Sequence, residues 1–417
     1  LREKDVQKFL VGGAVRDKLL GLPVTERDWV VVGETPDSMI KQGFRPVGKD
    51  FPVFLHPDTN EEYALARTER KSAPGYKGFI VHTDPLVTLE DDLHRRDLTI
   101  NAIAMTPEGD IIDPYGGRQD LEQRIFRHVS PAFVEDPVRI LRVARFAARF
   151  RHLGFTLSAD TLQFMQDMVI AGEVDYLVSE RVWAELNRAI KEPSPEAFFY
   201  TLRDCGALVK IFPEIDALFG VPQPEKYHPE IDTGIHCMLC LQQAAKLSIK
   251  PEVRFAALVH DLGKALSPKD NLPHHHGHEQ LGVPVLEQLC ARLKIPNRYK
   301  SLALKVMLYH THCHKARELK PGSLVDLFTA LNVFKPNNQF AEFLLACEAD
   351  AKGRTGLENR PYPQADYLRR AAEAAQAADT RQLMDGHLSG PAIGEAIRRT
   401  RIEAIIKNNT PPCTVNE

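Results

Sequence analysis

The sequence predicts an α+β N-terminal region, a small mixed sheet with helices, followed by a mainly α-helical remainder. Three observations carry this. Up to about residue 130, short β-branched runs alternate with glycine turns and brief helical stretches. From Pro131 onward the apolar residues recur at helical spacing, most clearly over Ala371 to Ala378. The chain has 417 residues, too many for one ordinary core, so roughly two to four domains are expected.

Lys8 to Val11 predicts a short strand, and Gly12-Gly13 a tight turn that lets backbone approach a ligand. Ala14 to Leu20 predicts a helix stopped by Gly21 and Pro23. Its first N–H groups suit a phosphate, and Arg16 adds charge. A second strand is expected at about Asp28 to Val32. Alternation puts Glu26 and Asp28 on one strand face, and two adjacent carboxylates repel unless a divalent cation joins them. A solvated strand end is the plainer alternative.

Next, Pro52 to His56 and Glu62 to Ala66 predict paired strands about the turn Pro57-Asp58-Thr59-Asn60. Arg67 to Gly78, with Arg67, Arg70, Lys71 and Lys77, predicts a mobile basic loop, over a substrate or as a solvated hairpin end. In Arg95-Arg96-Asp97, two cations suited to a triphosphate stand beside an acid expected to orient one of them.

The helical part opens with Glu135-Asp136-Pro137-Val138-Arg139. Arg139, Arg142 and Arg145 are three apart and share a helical face, where they repel without an anion; surface carboxylates are the alternative partner. Asp136 is within reach of Arg139. Glu180-Arg181-Val182-Trp183-Ala184-Glu185 predicts a structural salt bridge on a further helix. Pro222 to Pro229 predicts a linker.

Beyond it lie His236, then His260-Asp261 with Gly263-Lys264, then His274, His275, His276, His278, His310, His312 and His314. Imidazoles and a carboxylate spaced over successive helices predict a divalent metal centre with sites open to substrate. His278 and His310 lie close enough in the pattern to add a second ion. Cys237 and Cys240 form a C-x-x-C in a helical pattern without a second pair, which argues against a zinc or redox role. Arg398-Arg399-Thr400-Arg401 reads as a solvated face.

The formal net charge is −3, so nucleic acid would have to meet a local basic surface. No apolar run nears the ~20 residues that span a bilayer, and Leu1 to Asp5 carries no signal-peptide core. Seven scattered cysteines fit reduced thiols in a cytoplasm.

These motifs together resemble the bacterial CCA-adding tRNA nucleotidyltransferases, class II of the polymerase-β-like superfamily, in the multifunctional form with a C-terminal HD domain. The resemblance rests on Leu10 to Asp17, Glu26-Arg27-Asp28, Arg95-Arg96-Asp97, Glu135-Asp136-x-x-Arg139 and His236 with His260-Asp261, and covers nearly the whole chain. It implies a nucleotidyltransferase head (1–130), a helical neck and body (131–220), an all-α HD domain (231–334) and a helical C-terminal region (335–417). The implied reaction is stepwise, template-free addition of C, C and A to a tRNA 3′ end from CTP and ATP.

By the same resemblance Gly13, Arg16, Arg96, Arg142 and Arg145 contact the nucleotide. Glu26 and Asp28 hold Mg²⁺, and Asp136 with Arg139 reads the base. His236, His260, Asp261 and Asp350 hold a transition metal, Ni²⁺ among the candidates, for hydrolysis of 2′,3′-cyclic and 2′-phosphates. A cytoplasmic monomer or homodimer is implied, without membrane attachment. Two departures stand out: Glu26 replaces the usual aspartate, and Thr311 stands where the family often has aspartate after His310. A poly(A) polymerase of the same superfamily and an RNA-binding protein with an inactive head are the alternatives.

Overall fold

The computed structural model describes residues 7–47, 53–71, 79–380 and 390–409. The chain forms two compact units, residues 1–211 and 212–417.

Unit 1 begins with strand β1 (Gln7–Val11) and then the helix Gly13–Leu19, close to the expected bounds. The strands β2 (Asp28–Val32), β3 (Arg45–Val47), β4 (Val53–Leu55) and β5 (Glu62–Leu65) follow. Later come β6 (Thr68–Lys71), β7 (Phe79–His82), β8 (Ala104–Met105) and β9 (Ile111–Ile112). Seven of them make one mixed sheet in the order β3-β4-β5-β2-β1-β8-β9. Side chains alternate across it: Val30 joins Val11, Leu93 and Ala102 on one face, and Val31 joins Met39, Phe54 and Tyr63 on the other. With both faces packed, a one-residue slip would exchange the two apolar sets and undo both cores.

The pairing places the site. Val11 sits opposite Asp28 across the antiparallel β1–β2 pair, so the glycine turn after β1 lies beside the start of β2. β2 and β5 run parallel, with Asp28 opposite Glu62. β4 and β5 pair antiparallel, Phe54 opposite Tyr63, as expected for strands around that turn. Two expectations are corrected. Glu26 lies two residues before β2 begins, so it is not part of the strand. The stretch after Arg67 is in part a strand, β6 paired with β7; residues 72–78, with Gly75 and Lys77, lie outside the described residues.

The rest of unit 1 is helical. Val138–Phe150 packs against Ser179–Lys191 and Glu196–Asp204, burying Ile140, Leu141, Val143 and Ala144. Its start follows Pro137, and the Asp136 carboxylate accepts from the Val138 N–H at 3.0 Å, satisfying one of the end donors a helix leaves open.

Among the described residues unit 2 is built of helices, with one isolated bridge between Pro222 and Asp232. Thr233–Leu247, capped by Asp232 (2.9 Å to the Ile235 N–H), packs on Phe340–Lys352, and Pro251–Val259 packs on Asn297–His314. The stretch expected as a linker is tied down within this unit: the Gln223 N–H donates to the Ile231 carbonyl at 2.7 Å and its side chain is buried. Nor is the basic run near 400 simply solvated. Arg398 pairs with Asp326 at 2.8 Å and Arg401 lies over the Phe334 ring at 3.4 Å.

Candidate functional sites

A cavity of about 1390 Å³ in unit 1 is lined by nine residues singled out in the sequence: Gly13, Arg16, Glu26, Asp28 and Arg96 of the expected head, and Asp136, Arg139, Arg142 and Arg145 of the expected neck. Its lining holds ten arginines and six carboxylates, so a positive excess faces a chain whose net charge is negative. Such a wall concentrates a polyanion.

The arginines are held in place by acids and carbonyls. Arg142 meets Asp97 at 2.7 Å, Arg145 meets Glu185 at 2.6 Å and Arg149 meets Asp17 at 2.8 Å. Asp97 also accepts from Asn101 Nδ2 at 2.9 Å, and Asn101 Oδ1 accepts from Arg16 at 2.6 Å. Arg16 reaches Asp17 at 2.8 Å and lies over the Phe146 and Phe150 rings. The result is one chain of partners from Arg142 through Asp97, Asn101, Arg16 and Asp17 to Arg149. Burial opposes the Asp97 charge, yet Arg142 and Asn101 hold its carboxyl well below the usual carboxylate range. Burial pulls the Arg16 guanidinium down and Asp17 offsets this.

Several partners differ from those the spacing suggested. Arg95 and Arg96 are oriented by Asp92, at 2.7 and 3.1 Å, one turn earlier on the helix Leu89–His94; Asp97 serves Arg142 instead. Asp136 pairs with Arg181 at 2.9 Å, and Arg139 donates to the Ala132 and Arg95 carbonyls, both at 2.6 Å. Arg181 therefore faces the cavity and does more than brace its own helix. Glu26, Asp28 and Glu62 also line the cavity and supply acid. Partial desolvation pushes the Asp28 carboxyl up, Arg96 opposes this and Glu26 adds to it. Sequence reasoning missed Glu62, which only the β2–β5 pairing brings near. It also missed Arg149, whose position four after Arg145 continues the stripe.

In unit 2, His236, His260, Asp261 and Asp350 converge from different helical segments and are buried. His236 Nε2 lies 3.2 Å from Asp350 Oδ1 and 3.8 Å from Asp261 Oδ2. His260 Nε2 lies 3.1 Å from Asp261 Oδ2 and 3.7 Å from Asp350 Oδ2. The other Asp261 oxygen faces His278 Nε2 at 3.3 Å and His310 Nε2 at 3.7 Å.

The far nitrogens explain this orientation. Nδ1 of His236 is engaged by Glu230 at 2.9 Å and the Gly353 carbonyl at 3.0 Å. Those of His260, His278 and His310 each meet a backbone carbonyl, of Ala257, His275 and Val306, at 2.8, 2.8 and 3.0 Å. Where Nδ1 donates to these acceptors, the four Nε2 atoms are left turned toward the two carboxylates. His260 Nε2 is buried without a hydrogen-bond partner, which is costly unless an electrophile fills the gap. Burial, aided by His260, pushes His310 down to about 3, so it is neutral. Thr311 donates to Glu279 at 3.0 Å and takes no part in this cluster. His314 braces Asp350 at 2.6 Å and in turn meets the Tyr362 hydroxyl at 2.9 Å.

Cys237 and Cys240 lie buried on Thr233–Leu247, and burial pushes both thiols well up. A redox C-x-x-C needs the reverse. Cys240, one turn after His236, nevertheless has its sulfur 3.4 Å from His236 Nε2. That i, i+4 spacing was the signal for it in the sequence.

Three family profiles match the chain. Poly A polymerase head domain covers residues 8–127, the probable RNA and SrmB-binding site of polymerase A covers 154–219, and HD domain covers 233–351, a span that includes Asp350. The multifunctional CCA protein of Methylococcus capsulatus is 63% identical over 401 residues, 96% of this chain and 94% of its own length. That of Teredinibacter turnerae is 60% identical over 397 residues, 95% of this chain and 97% of its own. The Bacillus stearothermophilus CCA-adding enzyme in complex with CTP has the same fold (TM-score 0.64, 23% identity, 98% of this chain and 90% of that one). So does the Thermotoga maritima CCA-adding enzyme complexed with tRNA (TM-score 0.62, 18% identity, 98% and 89%).

Proposed function

This chain belongs to the multifunctional CCA protein family, and from that premise we propose how its two units perform two chemistries. Unit 1 adds C, C and A in turn to a tRNA 3′ end from CTP and ATP, releasing pyrophosphate. The observation that carries this is one cavity lined by both an acid pair and an arginine array.

Glu26 and Asp28 are the Mg²⁺ ligands; oxygen donors with no nitrogen among them suit that ion, and the upward push on Asp28 is what a cation would relieve. Bound there, Mg²⁺ supplies charge stabilisation to the attacking 3′-hydroxyl and the triphosphate. Arg16, Arg96, Arg142 and Arg145 take the phosphates and sugar, and Gly13 lets the backbone come close. Asp136, which only accepts, and Arg139, which only donates, read the base edge; to do so Asp136 must release Arg181, and Arg139 must turn from the Ala132 and Arg95 carbonyls. The head is residues 1–130 and the neck and body 131–220.

Unit 2 hydrolyses 2′,3′-cyclic and 2′-phosphates in its HD domain, 231–334, completed by Asp350 from the helical region 335–417. His236, His260, Asp261 and Asp350 hold a transition metal, for which imidazole nitrogen is a better ligand than for Mg²⁺; Ni²⁺ is our leading candidate. Asp261, with His278 and His310, offers a place for a second ion. Bound metal supplies an acidified water and a Lewis acid for the phosphate. The protein acts in the cytoplasm, as a monomer or homodimer; among the described residues no helix is long and apolar enough to cross a membrane.

Incubation of the purified chain with tRNA lacking its CCA end, with each nucleoside triphosphate, tests the reading. Incorporation of C, C and then A supports it. Tailing with ATP alone would indicate a poly(A) polymerase, and no incorporation an inactive head.

A further inference from the structure

We propose that Cys240 is a thiolate ligand of the HD metal, so that this centre is a mixed imidazole, carboxylate and sulfur site. The proposal rests on reading His236, His260, Asp261 and Asp350 as a metal centre.

Its basis is geometric. Cys240 lies one turn after His236 on Thr233–Leu247, so both side chains leave the same helix face. Its sulfur is nearer Nε2 of His236 (3.4 Å) than Nδ1 (3.8 Å), and Nδ1 is already engaged by Glu230 and the Gly353 carbonyl. Cys240 Sγ, one nitrogen each of His236 and His260, and an Asp350 oxygen all lie within 4.8 Å of one another. An ion roughly 2.0–2.1 Å from imidazole nitrogen and about 2.3 Å from sulfur holds the two about 3.6 Å apart at a tetrahedral angle. The observed 3.4 Å is close to that span, so the two side chains of this one helix need only a small adjustment.

A second observation points to a ligand independently of the cysteine: His260 Nε2 is fully enclosed and makes no hydrogen bond. Gly353 packs closely on Cys240: a Cβ there would come within 2.5 Å of the sulfur, so a larger residue would crowd it. On metal binding the thiol proton passes to solvent and one metal–sulfur bond forms, with no change of oxidation state. Sulfur in the shell favours Zn²⁺, Co²⁺ and Ni²⁺ over Mn²⁺ and Mg²⁺.

The test uses the full chain, stripped of metal and titrated with Co²⁺ under reducing conditions, in the parent, Cys240→Ser and Cys237→Ser. The readouts are bound metal and near-ultraviolet absorption, where a cobalt–thiolate bond gives a charge-transfer band. Cys237 is the control because it too lies near His260 and Asp261. The expected result is a band in the parent and in Cys237→Ser. Cys240→Ser should lose it and bind Co²⁺ at least about tenfold more weakly. Stoichiometric Co²⁺ without the band in the parent overturns the thiolate ligand and leaves the metal centre standing. A band lost only in Cys237→Ser also overturns it, whereas no bound Co²⁺ in the parent overturns the metal centre itself. Circular dichroism of each variant separates loss of ligand from loss of fold.

Discussion

Replacing Asp97 with asparagine should loosen the arginine array without changing the shape of the cavity. Asp97 is 5% exposed and accepts from Arg142 at 2.7 Å, from Asn101 at 2.9 Å and from the Leu98 N–H at 2.8 Å. Breaking a buried ion pair by removing one partner costs about 3–5 kcal/mol. The Arg142 side chain is 37% exposed, so water takes up part of the lost interaction, and about 2 kcal/mol is the better figure. Both tryptophans, Trp29 and Trp183, lie in unit 1, so intrinsic tryptophan fluorescence during urea unfolding reports on that unit alone. The midpoint should fall by about 1 M.

The loss should depend on pH in a defined direction. A carboxyl held low in the folded state contributes stability that is present in full above its unfolded pKa of about 3.9 and fades as pH falls toward the folded value. Asp97→Asn should therefore differ from the parent at pH 7 and converge with it in strong acid. With Arg142 no longer anchored, the KM for CTP should rise about tenfold, equivalent to about 1.4 kcal/mol. A midpoint unchanged within about 0.2 M, together with an unchanged KM, would refute the reasoning.

Glu26→Asp should keep or raise nucleotide addition because the charge remains on a shorter arm, and Glu26→Gln should abolish it; single-nucleotide incorporation decides, and parent-like activity in Glu26→Gln removes Glu26 from the ligand set. Gly12 has φ of +65° and a Cβ there would meet Arg96 Nη1 at 2.8 Å. Gly12→Ala should thus cost nucleotide addition more than tenfold, with HD hydrolysis preserved, as parallel assays would show. Glu230 holds His236 Nδ1 at 2.9 Å, so Glu230→Gln should weaken metal binding by roughly 10–100-fold, measured by metal titration.

Much of the head was legible because its signals are local. A glycine turn after a strand, an acid pair two residues apart and arginines at helical spacing need no tertiary knowledge to recognise. Partner choice was not legible. Asp97 sits beside Arg96 in sequence but is spent on Arg142, 45 residues away, because Asp92 on the preceding helical turn already holds Arg95 and Arg96. Asp136 likewise takes Arg181, another 45 residues distant, since the helix Ser179–Lys191 packs directly on Val138–Phe150. Glu62 reaches the acid wall only through a parallel strand pair, which leaves no periodic trace in the sequence. In unit 2 the histidines were visible as a set, but their orientation depends on backbone carbonyls accepting at Nδ1. Cys240 is hidden in the sequence because C-x-x-C reads as a pair, whereas its structural neighbour is His236, four residues earlier.

On the proposed function one chain carries two separable chemistries, one on carboxylates and one on imidazoles. Asp28→Ala and Asp261→Ala, each assayed for CTP and ATP incorporation into truncated tRNA and for hydrolysis of 2′,3′-cyclic AMP, test it most directly. Asp28→Ala should lose incorporation and hydrolyse at the parent rate, and Asp261→Ala should do the opposite. Parent-like incorporation by Asp28→Ala, or unchanged hydrolysis by Asp261→Ala, would contradict it.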